Sequence, residues 1–135
     1  MSAENVELVS TIFARLEAGG IDAVADYFDP EFEFTTPPAL ASEPGTYRGV
    51  EGVRRWFDSF YEAMDEVRLV PTELVDAGEA GVAIAFRIET RGRSTGLEVA
   101  QEAGMLIRLT DGRVLRFEIT GDLDAALALA TADGD

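Results

Sequence analysis

The chain of 135 residues contains no cysteine, no histidine and no lysine. Without cysteine there is no disulfide framework, no thiol nucleophile and no thiolate metal site. Without histidine, the usual general base at neutral pH and the usual zinc ligand are missing, so any acid–base chemistry falls to Asp, Glu, Tyr or Arg. All eleven cations are arginines, and against 26 carboxylates they leave a net charge of −15. Such a surface repels phosphate backbones and anionic membranes, which argues against nucleic acid and membrane as partners. No apolar run approaches the length that crosses a bilayer, and residues 1–5 are polar and acidic, so a cytoplasmic protein is expected.

What the chain does contain is enough apolar material, 47% of its residues, to fill one core, and a single domain over residues 1–135 is expected. Val6, Val9, Phe13 and Leu16 recur three and four apart, predicting a first helix over residues 2–18 that stops at Gly19-Gly20. Ile21, Val24 and Phe28 share a helical face, predicting a short second helix that ends before Pro30. Residues 31–36 alternate as a half-buried strand, with Phe32 and Phe34 on one side. The proline- and glycine-rich stretch 37–49 reads as a long loop and a candidate pocket rim carrying Tyr47 and Arg48. Val53, Trp56, Phe57, Phe60 and Met64 define a third helix, with Arg54, Arg55, Asp58 and Glu62 on its wet face. Four strands follow, over residues 67–75, 80–91, 97–109 and 113–120, and a short helix begins near Asp122.

The phrases Leu16-Glu-Ala-Gly-Gly-Ile-Asp-Ala-Val, Tyr27-Phe-Asp-Pro-Glu-Phe-Glu-Phe, Tyr47-Arg-Gly-Val-Glu-Gly-Val-Arg-Arg-Trp-Phe and Leu109-Thr-Asp-Gly-Arg-Val-Leu-Arg-Phe span most of the chain. With this order of elements they resemble the SnoaL-like group of the nuclear-transport-factor-2-like superfamily. The resemblance implies an α+β fold: a cone-shaped, strongly curved, mostly antiparallel sheet covered by three N-terminal helices, with a short C-terminal helix. It implies a mostly apolar pocket inside the cone, no cofactor and no metal, and a homodimer paired through the outer sheet face, where Ala83 and Ala85 would let two sheets approach. It does not select a reaction, because the superfamily holds isomerases, polyketide cyclases, epoxide hydrolases and proteins that only bind.

Strand parity sorts the candidate residues into two faces. Val82, Ile84, Phe86 and Ile88, then Val99, Gln101, Ala103, Met105 and Ile107, then Leu115, Phe117 and Ile119 fall on the pocket side. The opposite side carries Arg87, Glu89, Arg91, Glu98, Glu102, Arg108, Arg116 and Glu118, which reads as a lattice of cross-strand ion pairs. The ligand wall is expected from Tyr27, Phe34, Thr36, Trp56, Phe60, Phe86, Met105, Phe117 and Ile119, with the Gln101 amide as the strongly polar group that a ligand, a backbone group or a water must satisfy.

Relative to ketosteroid isomerases, the positions of the carboxylate base, the acidic hydrogen-bond donor and the helix-one tyrosine resemble Thr36, Met105 and Ile12, none able to do that work. Arg87-Ile-Glu89 resembles the arginine and aspartate of limonene-epoxide-hydrolase-like enzymes, but the second carboxylate of that site falls at Ile119. Two functions follow from the resemblance. One is binding of a small hydrophobic metabolite; the other is cofactor-independent isomerase, cyclase or hydrolase chemistry using Arg87, Glu89 and Glu102.

Overall fold

The structure, a computed structural model, describes residues 2–36, 45–61 and 64–134. Helix α1 (Ser2–Gly19) lies on the sheet through Val9, Ile12 and Phe13, which are buried at the predicted spacing. Gly20, with φ of 73°, ends it, and its N–H closes on the Leu16 carbonyl at 2.8 Å. The second predicted helix is absent. Residues Ile21–Ala23 and Ala25–Tyr27 form two single 3₁₀ turns broken at Val24, and Phe28 already belongs to the first strand. The segment is too short to repay helix nucleation, whereas Phe28 gains a strand partner in Val114.

Strand β1 (Phe28–Thr36) is followed by β2 (Gly45–Arg48), which pairs with it and converts the end of the expected loop into an edge strand. The rest of that expected loop, residues 37–44, lies outside the described residues. Helix α2 (Gly49–Tyr61) buries Val53 and Trp56. Met64, predicted to end this helix, instead opens β3 (Met64–Asp76), and β4 (Val82–Gly92), β5 (Glu98–Thr110) and β6 (Arg113–Thr120) complete a curved, open six-stranded sheet. Its order is β2-β1-β6-β5-β4-β3, antiparallel except for β1 against β6. No helix among the described residues is long and apolar enough to cross a membrane.

The core lies between one sheet face and helices α1 and α2. It contains Ile84, Phe86 and Ile88 of β4, Met105 and Ile107 of β5, and Phe117 and Ile119 of β6. Alternation assigns Leu115 to this face, but the register between β5 and β6 shifts so that Leu109 pairs with Val114 while Arg108 pairs with Arg116. Val114 therefore takes the buried place. An aromatic cluster fills the β1–β6 side: Phe117 meets Phe28, Phe32 and Phe34 edge-on at 5.8, 5.1 and 5.6 Å.

The opposite face is only partly open. Helix α3 (Leu123–Gly134) packs Ala126 and Ala130 against Ala83 and Leu106, giving a second, smaller core. Ala83, expected to face a second subunit, is buried beneath this helix.

Candidate functional site

Where α3 does not reach, the outer face carries the predicted ion pairs. Arg48, Glu33, Arg116, Glu118 and Arg108 form a chain across β2, β1, β6 and β5, with contacts of 3.3, 4.0, 3.5 and 3.2 Å. On the other half of the sheet, Glu89 accepts from Arg87 at 3.0 Å and from Arg68 at 3.3 Å. Arg87 and Glu89 thus lie behind the sheet, while their neighbours Phe86 and Ile88 are buried in the core. Glu102 pairs in register with Arg87 and is exposed. Arg87 and Glu89 alternate with the core residues Phe86 and Ile88, and Glu102 lies beside Arg87 on the same side of the sheet.

Gln101 does not line a buried wall. It is exposed, as is Val99 at 49%, although both share parity with Ala103 and Met105. Parity set the side correctly; burial fails because the end of the β4–β5 hairpin, with Leu97 64% exposed, extends beyond the packed layer.

The interior itself is nearly filled. A space of about 20 Å³ remains among Ile12, Phe13, Val24, Phe28, Phe34, Val53, Met105 and Phe117, with Leu16, Ile21, Phe57 and Leu69 also lining it, room for about one water. Phe34, Met105 and Phe117 are therefore wall residues of this small space. Trp56 is fully buried, tilted against Phe34 at 5.0 Å and edge-on to Phe57 at 5.1 Å. Phe86 and Ile119 are core residues that do not line this space. Tyr27 is half-buried with the Arg15 guanidinium 5.8 Å from its ring centroid. Thr36 ends β1 and Phe60 lies in the last turn of α2, and both side chains lie outside the described residues. Tyr47, expected on a solvated rim, is buried with the Arg55 guanidinium 4.9 Å from its ring centroid.

An accessible cleft, here called the mouth, lies where α1, α2 and β3 meet. Its volume of about 600 Å³ is bounded by Leu16 and Glu17 of α1, Gly20 and Ile21, Arg54, Phe57 and Asp58 of α2, and Glu66 through Leu69 of β3. Four of these residues, Leu16, Ile21, Phe57 and Leu69, also wall the small interior space. The cleft floor is thus the interior's ceiling.

Two ion pairs bracket the mouth. Arg68 on β3 donates to Glu17 at the end of α1, and Arg54 on α2 donates to Asp22 in the first 3₁₀ turn. Arg54 also contacts Glu51 one turn earlier at 3.4 Å. Donating to the Glu17 carboxylate raises the pKa of Arg68, and donating to the Asp22 carboxylate raises that of Arg54. The same Arg54 bond holds the Asp22 carboxyl below its ordinary value. An acid with a folded-state pKa below its unfolded one stabilises the fold above the unfolded value and loses that contribution as pH falls through the folded one. The melting-temperature difference between the wild-type chain and Asp22→Asn is therefore expected to be constant at neutral pH and to vanish in the acid range, checked by thermal melts across pH. A difference independent of pH would show that the pair does not form in solution.

The helical period of α2 places Arg54 and Asp58 on its wet face, whereas no local pattern marks Glu17, Asp22, Glu66 or Arg68. Among the described residues, no group of three or more His, Cys, Asp or Glu side chains is arranged to hold a metal ion.

The SnoaL-like domain family matches residues 9–117, and the chain belongs to that family. No curated protein matches it. Among solved structures, it is similar to an NTF2-like protein from Burkholderia thailandensis, 24% identical, with a TM-score of 0.75 over 94% of this chain and 96% of that one. It is similar to TerC co-crystallised with polyporic acid, 20% identical, with a TM-score of 0.74 over 94% and 98% of the two chains. A protein of ketosteroid isomerase-like fold from Catenulispora acidiphila, in complex with trimethylamine, is 18% identical, with a TM-score of 0.69 over 93% and 92%. At these identities the likeness establishes the fold alone.

Proposed function

We propose that this SnoaL-like protein binds a small, mostly apolar organic molecule at the mouth cleft, with its apolar body against Leu16, Ile21, Phe57 and Leu69. The observation that carries this reading is that the cleft and the small interior space share Leu16, Ile21, Phe57 and Leu69, so a shift of those four side chains would join the two. A volume of about 600 Å³ falls within the usual range for small-molecule sites. Catalysis by Arg87, Glu89 and Glu102 is disfavoured by their position behind the sheet. Pairing of two copies, also part of this proposal, would use the strip of the outer face that α3 leaves open.

The test is a fluorescence titration of the full chain with a neutral aromatic probe, naphthylmethanol, against Leu69→Trp, which fills the cleft with an indole. The substitution is expected to weaken binding about tenfold or more, which corresponds to about 1.4 kcal/mol. Equal affinity for both chains would place the probe elsewhere and contradict the reading.

A further inference from the structure

We propose that the mouth cleft selects molecules bearing a positive charge on an apolar body, such as an alkyl- or arylammonium, over carboxylates of the same shape; this rests on the cleft being the binding site. Of the charged side chains lining the cleft, Glu17, Asp58 and Glu66 are carboxylates and Arg54 and Arg68 are guanidiniums. Both guanidiniums are already committed. Arg54 lies between Asp22 and Glu51, and Arg68 between Glu17 and Glu89. An incoming anion would have to displace one of these carboxylates and would meet the others at short range, where like charges are costly.

The carboxylates are not equally committed. Glu66 shares Arg91 at 3.6 Å. Asp58 lines the cleft beside Phe57, and among the described residues its carboxylate makes no ion pair or hydrogen bond. An ammonium placed against Asp58 gains a partner without breaking an existing pair, while the attached apolar group lies on Phe57, Leu16 and Leu69. The fold does not impose this preference, since one of the similar structures holds polyporic acid and another trimethylamine. It comes from the pairing pattern of this chain's own arginines. The net charge of −15 adds a longer-range attraction for cations that salt screens.

The experiment compares naphthylmethylamine, naphthylmethanol and naphthoate by calorimetry on the full chain, with residue-resolved NMR to locate each probe. The amine is expected to bind about fivefold tighter than the alcohol and about tenfold or more tighter than the carboxylate at low salt. Asp58→Asn is expected to remove the preference for amine over alcohol, read as the ratio of the two affinities measured on the same variant. Asp124→Asn, which removes an exposed charge on α3, is expected to keep the preference and so separates the local effect from net charge. If the alcohol binds in the cleft and the amine binds no tighter, or the preference survives Asp58→Asn, the charge selection is wrong while the binding site stands. If none of the three perturbs the cleft residues, both the selection and the site beneath it fail.

Discussion

Replacing Gly104 with alanine is expected to destabilise the protein by more than about 3 kcal/mol, lowering its melting temperature by roughly 10 °C. Gly104 is buried in β5, paired with Ala85 on one side and Thr120 on the other. A Cβ there would collide with the backbone carbonyl of Asp122 and lie 2.6 Å from Thr120 Oγ1. That carbonyl cannot retreat freely. It accepts from Thr120 Oγ1 at 2.8 Å and from the Ala126 N–H at 3.2 Å, while the Asp122 carboxylate caps the helix by accepting from the Ala125 N–H at 2.8 Å. The methyl group must therefore push the start of α3 off the sheet, exposing Ala83 and Leu106. Faster amide exchange at Ala126 and Ala130 would accompany the loss of stability. Gly121→Ala is the control, because no atom lies within 4 Å of its Cβ position, and its effect is expected within about 0.5 kcal/mol. Equal melting temperatures for the Gly104 variant and wild type would mean that α3 is not docked as described.

Phe117→Ala is expected to cost about 3–5 kcal/mol, a fall of roughly 10–15 °C in melting temperature. The ring is 7% exposed and supports Phe28, Phe32 and Phe34 at once, so its removal strips one edge contact from each as well as the apolar area of the ring itself. The same ring walls the small interior space. Truncation enlarges that space from below, and the variant is expected to take up benzene-sized apolar molecules that the wild-type interior excludes, seen as a rise in its melting temperature when such a molecule is added. A variant as stable as wild type would mean that the aromatic cluster packs differently.

Much of this architecture is readable from local pattern. The spacing of Val9, Phe13 and Leu16, and of Val53, Trp56 and Phe57, fixes two helices, and the alternation through Val82 to Ile88 fixes which side of β4 is core. The misreadings share a physical origin in long-range partners. Residues 21–28 have a helical apolar face but too few residues to nucleate, and β6 draws Phe28 into the sheet. The periodicity of β6 points to Leu115, and only the shifted register between β5 and β6 puts Val114 in the core. Gln101 shows that parity gives the face of a sheet but not how far its covering layer extends.

The candidate site was the least readable part, because its charges come from distant points of the chain. Glu17 meets Arg68, 51 residues away, and Asp22 meets Arg54 across 32 residues. The available local signal was the pair Arg54 and Asp58, one helical turn apart on the exposed side of α2, next to the half-buried Phe57. The chain has no histidine for proton transfer, and the mouth sets arginines engaged by carboxylates above an apolar floor.

The most direct measurement of the central claim is residue-resolved NMR of the full chain during titration with naphthylmethanol. The account predicts the first and largest shifts at Leu16, Ile21, Phe57 and Leu69, followed by Met105 and Phe117 as the floor yields. Shifts confined to Leu97 and Val99, or to the ion-paired outer face around Arg87 and Glu89, would contradict it.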